Sequence, residues 1–301
     1  MSGKSVRIGV DLGGTKIEVV ALDEAGDERF RKRVPTPQGN YERTLETIVE
    51  LVTEAERKCG AGTVGVGTPG AASRRTGRIK NANSTVLIGK PLEADLVRLL
   101  QREIRTANDA NCFILSEAQD GAAHGISLAF GVILGTGVGG AIACDGRIVN
   151  GANNIAGEWG HNPLPWPRDD ERPGPRCYCG KFGCLETWLS GPALARQYAE
   201  RSHRWASCED VVSDAENGSD LAREVVERYE DRLARGLSSV INLLDPGAIV
   251  LGGGLSNVDR FYANVPPLLS QYVLSDVVET ALVRAAHGDA SGVRGAAMLW
   301  P

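Results

Sequence analysis

The stretch Val6-Arg7-Ile8-Gly9-Val10-Asp11-Leu12-Gly13-Gly14-Thr15-Lys16, continued by Ile17-Glu18-Val19-Val20-Ala21-Leu22, decides the fold. Two apolar, β-branched runs flank the turn Leu12-Gly13-Gly14-Thr15, which predicts a β-hairpin. A dinucleotide fingerprint sets its glycines between a strand and a helix, so strand-turn-strand argues against a Rossmann site. Glycines permit φ > 0 and close backbone approach, and consecutive N–H groups at this turn are expected to cradle a phosphate oxygen. The alternative is an ordinary tight hairpin. Against it, Asp11 ends a buried apolar strand, where a carboxylate is costly without a cation or donors.

The pattern returns halfway along the chain. A strand over 129–134, the turn Gly135-Thr136-Gly137-Val138-Gly139-Gly140 and a strand over 141–144 repeat the plan, so the halves read as two mixed α/β units, each with a phosphate-type loop. Two such loops facing each other would grip a polyphosphate. Between them the spacing of Leu45, Ile48, Val49 and Val52 predicts a helix over 41–58. A strand over 63–68 closes at Pro69-Gly70, a polar loop over 74–85 carries Asn81 and Asn83, and a helix over 92–102 precedes a strand over 104–107. That strand runs into Asn108-Asp109-Ala110-Asn111, with a helix expected over 112–124. Beyond the second hairpin, helices are expected over 191–201, near Glu209, over 220–244, 258–272 and 291–300, and strands over 248–251 and 281–284. Gly252-Gly253-Gly254 reads as a close-approach loop or a simple turn. The expected domains are 1–119, with the helix of 290–301 packing back on it, and 120–289, joined by a hinge rather than a tether.

Composition narrows the classes. The 301 residues are 42% hydrophobic, and 33 Lys+Arg against 38 Asp+Glu give a net charge of -5, so neither a nucleic-acid footprint nor a basic membrane-binding face is indicated. No leader-type apolar segment and no membrane-length run is seen, so a cytoplasmic location is expected. Of the 7 cysteines, Cys59, Cys112, Cys144 and Cys208 stand singly, as reduced thiols do.

The other three, Cys177, Cys179 and Cys184, fall in Cys177-Tyr178-Cys179-Gly180-Lys181-Phe182-Gly183-Cys184, and His161 of Glu158-Trp159-Gly160-His161 lies 16 positions upstream. Thiolates and imidazole are the ligands of a tetrahedral zinc ion. A disulfide pair with a spare thiol is the alternative, disfavoured because Cys177 and Cys179 are poorly spaced for a bridge. Four protein ligands leave no open position, so the zinc is expected to be structural. Glu158 and Glu186 flank these ligands. Asp109, at a strand end, is a candidate general base for a substrate hydroxyl, or the N-cap of the following helix, or both. A zinc-bound histidine has one nitrogen committed and is a poor proton acceptor, which favours Asp109 as base.

Taken in order, LGGTK (12–16), NDAN (108–111), LGTGVGG (134–140), GEWGH (157–161), CYCGKFGCLE (177–186) and LGGG (251–254) resemble the ROK family of bacterial sugar kinases and repressors. The resemblance implies an α/β fold of the two-domain, actin-like (RNase H-like) ATPase type with a sugar in an interdomain cleft, ATP on Mg²⁺, structural Zn²⁺ and a homodimer. It implies Asp109 as catalytic base and Gly70, Asn83, Asn108, Glu158, His161 and Glu186 as sugar-binding. It implies Asp11 (near magnesium), Gly13, Gly14, Thr15 and Lys16, then Gly135, Thr136, Gly137, Gly139 and Gly140, then Gly252, Gly253 and Gly254 as the ATP and phosphate positions. His161, Cys177, Cys179 and Cys184 match the zinc ligands. KNANST (80–85) and GEWGHNPLPW (157–166) look like the family's fructokinases, so phosphorylation of fructose, and of mannose, at O6 is the expectation, with an N-acetylglucosamine kinase or glucokinase as the alternative. A sugar-responsive repressor is disfavoured, because no helix-turn-helix segment precedes the first hairpin. An ATPase or actin-like assembly protein would leave Glu158 and Glu186 without a task.

Overall fold

The hairpin forms as its pattern requires, because apolar side chains fill both faces of the strands and leave only the turn for polar backbone. In the computed structural model, which describes residues 6–82 and 84–300, β1 (Val6–Leu12) pairs antiparallel with β2 (Lys16–Leu22), and β2 with β3 (Glu28–Pro35). Asn83 therefore lies outside the described residues. β4 (Gly62–Thr68) and, beyond the two-residue strands β5 (Ala71–Ala72) and β6 (Ile79–Lys80), β7 (Arg105–Asn108) add in parallel. The order is β3-β2-β1-β4-β7.

The second unit repeats this arrangement. β8 (Leu128–Leu134) pairs antiparallel with β9 (Val138–Cys144) and parallel with β11 (Ala248–Gly252), which pairs parallel with β12 (Ala281–Arg284); β10 is the two-residue strand Arg147–Ile148. Thus β9-β8-β11-β12 has the same sequence of antiparallel, parallel, parallel pairings as β2-β1-β4-β7.

The two compact units are Met1–His124 with Gly146–Ala156 and Asp289–Pro301, and Gly125–Asp145 with Gly157–Gly288. The segment 146–156, placed by sequence in the second domain, lies with the first. In the first unit Ile8, Val10, Ile17, Val64 and Val66 are buried with Leu45, Ile48 and Val52 of helix Tyr41–Cys59, whose N-cap Asn40 accepts the Arg43 N–H. Helix Ser291–Ala297 lies directly on the sheet at two glycines: a Cβ on Gly9 would stand 2.1 Å from the Val293 carbonyl, and one on Gly65 1.9 Å from that of Ala296. In the second unit the long helix Asp220–Leu244 carries Tyr229, Leu233 and Leu237 into a core with Trp159, Trp188 and Phe261. Tyr229 and Phe261 stack with centroids 5.1 Å apart.

Candidate active site

In the first unit the turn Gly13-Gly14-Thr15 is held by its carbonyls. Thr36 Oγ1 donates to Gly13 O at 2.7 Å, Gln38 Nε2 to Gly14 O at 2.7 Å, and the Thr36 N–H to Thr15 O at 3.0 Å. A trans peptide points its N–H opposite its carbonyl, so anchoring the carbonyls on 36–38 turns the other face outward. Neither Gly13 nor Gly14 has φ > 0, and the same holds for Gly135, Gly137, Gly139 and Gly140. The expected conformational reason is thus replaced by a steric one at Gly13, Gly137 and Gly140, whereas a Cβ on Gly14 or Gly135 would meet nothing within 4 Å. A Cβ on Gly13 would stand 2.9 Å from Lys16 O, and one on Gly140 2.4 Å from the Trp159 ring.

Asp11 sits at the end of β1 beside this turn. Burial pushes its carboxyl up to about 7, with the charges of Asp109 and Glu18 adding to the rise and Lys16 and Arg33 opposing it. A Cβ on Gly67 would lie 3.7 Å from Asp11 Oδ1 and one on Gly292 3.7 Å from Oδ2, so small residues wall the carboxylate. A partly buried acid beside a second acid is a donor set that suits a divalent cation.

Asp109 opens helix Asp109–Asp120, which starts three residues before the sequence placed it. The cap is Asn108: its Oδ1 accepts the Ala110 N–H at 3.0 Å while its Nδ2 donates to Gly70 O at 3.0 Å. The capping alternative for Asp109 therefore passes to its neighbour, although Asp109 Oδ1 also accepts the Ala110 N–H, at 2.8 Å. Burial raises the Asp109 carboxyl against the lowering effect of that N–H and of Asn108. Gly70, at φ 75°, is fixed because a Cβ there would meet the Lys80 carbonyl at 2.4 Å; among the sugar positions it contributes backbone to Asn108.

In the second unit the segment 157–161 lies flat on the other glycine turn. A Cβ on Gly160 would stand 2.1 Å from Val138 O, and one on Gly157, at φ 90°, 2.6 Å from the Ala141 Cα. Between them Trp159 is buried against Phe130, edge to face at 6.0 Å, and its Nε1 donates to Gly139 O at 3.2 Å. Glu158 and His161 are thereby carried beside the turn. Glu186, first residue of the short helix Glu186–Leu189, accepts the Val138 N–H at 3.0 Å. A residue expected to hold a sugar hydroxyl thus also fastens the phosphate-type loop.

His161, Cys177, Cys179 and Cys184 converge, with one ligand atom from each within 4.8 Å of the others. His161 Nδ1 is 3.5 Å from Cys177 Sγ, and Cys179 Sγ is 3.6 Å from Cys184 Sγ. Around a tetrahedral ion with bonds of about 2.3 Å to sulfur and about 2.0 Å to nitrogen, such edges come to about 3.5–3.8 Å, so these residues fit zinc. The other nitrogen, Nε2, meets Tyr178 Oη at 2.8 Å. Sequence reasoning missed Tyr178. Its phenol is pushed up to about 12, first by desolvation and then by the charges of Glu186, Cys177 and Glu158.

Gly253, at φ 80°, follows the last residue of β11, where a Cβ would meet Leu134 O at 2.5 Å. Next to it Gly135, Thr136, Pro192, Trp205, Cys208 and Gly254 line a cavity of 640 Å³, in the size range of small-molecule sites. Gly135, Thr136 and Gly254 were legible in the sequence; Pro192, Trp205 and Cys208 carry no motif. Among the described residues no helix is long and apolar enough to cross a membrane.

A family model described as ROK matches residues 7–301. N-acetyl-D-glucosamine kinase of Pectobacterium atrosepticum is 42% identical over 296 residues, covering 97% of each chain. The enzyme of that name from Escherichia coli O6:H1 is 41% identical, covering 97% of this chain and 98% of its own. Among solved structures, the ROK hexokinase of Thermus thermophilus has a TM-score of 0.87 at 31% identity, covering 97% of both chains. A ROK glucokinase of Streptomyces griseus, solved with glucose and AMPPNP, has a TM-score of 0.82 at 26% identity, covering 98% of this chain and 99% of its own. These neighbours bear out the α/β, actin-like ATPase fold class. They overturn the fructokinase expectation, since the full-length curated relatives are N-acetyl-D-glucosamine kinases. Discrimination among hexoses rests on one or two hydroxyl contacts, and two short motifs weigh less than likeness along the whole chain.

Proposed function

The chain belongs to the ROK family of sugar kinases, and from that premise we propose that it transfers the γ-phosphoryl group of ATP to the 6-hydroxyl of N-acetyl-D-glucosamine. The observation that carries the reading is the 42% identity along 97% of the chain to a kinase of that sugar. Asp109 accepts the hydroxyl proton as the oxygen attacks phosphorus; its burial raises its basicity toward that task. Asn108 holds the helix start on which Asp109 stands. Glu158, His161, Glu186 and Tyr178 are the partners for sugar hydroxyls, and Asn83 joins them by the family pattern. The turns 13–15 and 135–140 bind phosphate oxygens, and the 640 Å³ cavity beside Gly254 takes the nucleoside.

Asp11 would hold Mg²⁺, whose chemistry when bound is to neutralise charge on the phosphates. His161 through Nδ1, with Cys177, Cys179 and Cys184, would hold zinc, which cross-links the loop of 177–184 to the segment bearing Glu158. The test is ADP release with ATP and N-acetylglucosamine, N-acetylmannosamine, glucose, mannose or fructose. N-acetylglucosamine is expected to give the highest kcat/KM, roughly tenfold or more above glucose. An equal or higher value with any other sugar overturns the substrate assignment.

A further inference from the structure

A second, smaller cavity of 220 Å³ in the same unit is unused by this reaction. Helix Gly191–Ser202 stands between the two: it gives Gly191, Pro192, Ala195 and Ala199 to the larger cavity, Gln197, Glu200 and Arg201 to the smaller, and Arg196 to both. Four arginines, Arg196, Arg201, Arg228 and Arg232, line the smaller cavity against two carboxylates, Asp170 and Glu200.

Their ion pairs use only part of this donor supply. Arg201 Nη2 reaches Glu224 at 2.6 Å, Arg228 Nη2 reaches Asp170 at 2.6 Å, and Arg232 Nε reaches Glu171 at 2.7 Å. Arg196 Nη2 donates to Thr187 O at 2.6 Å and its Nε lies 3.4 Å from Glu200, while Arg232 Nη1 donates to Gln197 Oε1. A guanidinium carries five N–H donors. Two buried donors among the lining residues have no acceptor at all: Arg228 Nε, and the indole Nε1 of Trp188, a residue only 7% exposed. Each such orphan costs about 1–3 kcal/mol. Each lining arginine has one carboxylate partner or more, yet five N–H groups apiece leave donors to spare, so the group that complements this lining is one that accepts several hydrogen bonds.

We propose that the cavity lined by Trp188, Arg196, Arg201, Arg228 and Arg232 binds a phosphate-type oxyanion, either inorganic phosphate or the phosphomonoester end of a small metabolite. Planar guanidinium forks match tetrahedral oxyanions, and 220 Å³ is the space of about seven waters, enough for one such anion with some of its hydration. Burial lowers the Arg232 guanidinium, and the neighbouring Arg228 and Arg235 charges lower it further while Glu171 opposes them; a bound anion relieves that crowding.

The experiment uses the full-length, zinc-loaded chain with its phosphate turns filled by Mg²⁺ and a non-hydrolysable ATP analogue. Inorganic phosphate is titrated at constant ionic strength against chloride, reading Tm and heat of binding, beside Trp188→Phe, which keeps the ring and removes the donor, and Arg201→Gln, at the cavity's exposed rim. A saturable, phosphate-specific rise in Tm is expected, with affinity at least tenfold weaker in the variants. Phosphate acting no better than chloride, as when only water fills the cavity, overturns the proposal, and so does undiminished phosphate binding in both variants. A parallel titration with glycerol phosphate, a phosphomonoester that is not a sugar, sets the source: tighter binding than phosphate that weakens in both variants assigns a phosphomonoester, weaker binding the free ion.

Discussion

Glu186 Oε2 accepts the backbone N–H of Val138 at 3.0 Å, and a Cβ on Gly137 would stand 2.7 Å from that same oxygen. One carboxylate therefore links the short helix after the cysteine loop to the turn of the second hairpin.

Gly137→Ala should break this link without unfolding the unit, because the displaced atom is the free end of a flexible side chain and Gly137 does not have φ > 0. A charge-assisted hydrogen bond is worth about 1.5–3 kcal/mol, so the KM for ATP is expected to rise roughly tenfold and Tm to fall by roughly a few degrees. Steady-state kinetics with ATP varied at saturating sugar decide it. An unchanged KM would mean that the Glu186 contact does not shape the nucleotide loop.

Asp109→Asn should lower kcat by roughly 10²-fold or more, with the fold intact. The amide oxygen can still accept the Ala110 N–H that Asp109 Oδ1 accepts at 2.8 Å, while the proton acceptor is lost. Circular dichroism and turnover measured side by side separate the two effects; near-normal turnover would remove Asp109 from the base role.

Asp11 gives a pH prediction with a definite sign. Its folded carboxyl lies at about 7 against an ordinary 3.8, so the folded state binds the proton more tightly than the unfolded one. Its favourable contribution is complete below about pH 4 and is lost as pH rises through about 7, at a cost of up to about 4 kcal/mol. Metal-free protein should melt lower at pH 8 than at pH 6 by an amount that shrinks in Asp11→Asn. The same variant should lose most activity, since a neutral amide cannot balance a divalent cation. Identical pH profiles of Tm in the two proteins would show that Asp11 ionises freely.

Much of this was legible beforehand because alternation and turn residues are local signals. Both hairpins, the long helix Asp220–Leu244 and the strand Ala281–Arg284 follow directly from pattern. Helix Asp109–Asp120 was read late because Asp109, Ala110 and Asn111 look like a loop until Asn108 is seen to cap them. The helix expected over 258–272 ends at Leu269, three residues early, having passed through Pro266-Pro267. The convergence of His161 with the three cysteines could be read from residue types alone, whereas Tyr178 could not, since an aromatic residue between two cysteines gives no sign of where its ring turns. Sugar preference was least legible, because it depends on side-chain placement at one or two hydroxyls.

Cys179→Ser tests the proposed zinc site apart from catalysis. Cys179 is exposed while Cys177 and Cys184 are buried, so the substitution removes one ligand without opening a cavity, and any loss of stability reports the metal rather than packing. Native protein is expected to carry one zinc per chain by elemental analysis, and the variant none or a weakly held fraction. Tm should fall by several degrees in the variant and in native protein treated with chelator, and chelator should do nothing further to the variant. Because the ion would join His161 to the loop ending at Cys184, next to Leu185 and Glu186, the KM for sugar should rise along with that for ATP. Fresh protein without zinc, or a chelator effect of equal size in both proteins, would leave the four residues as a hydrogen-bonded thiol cluster with no metal.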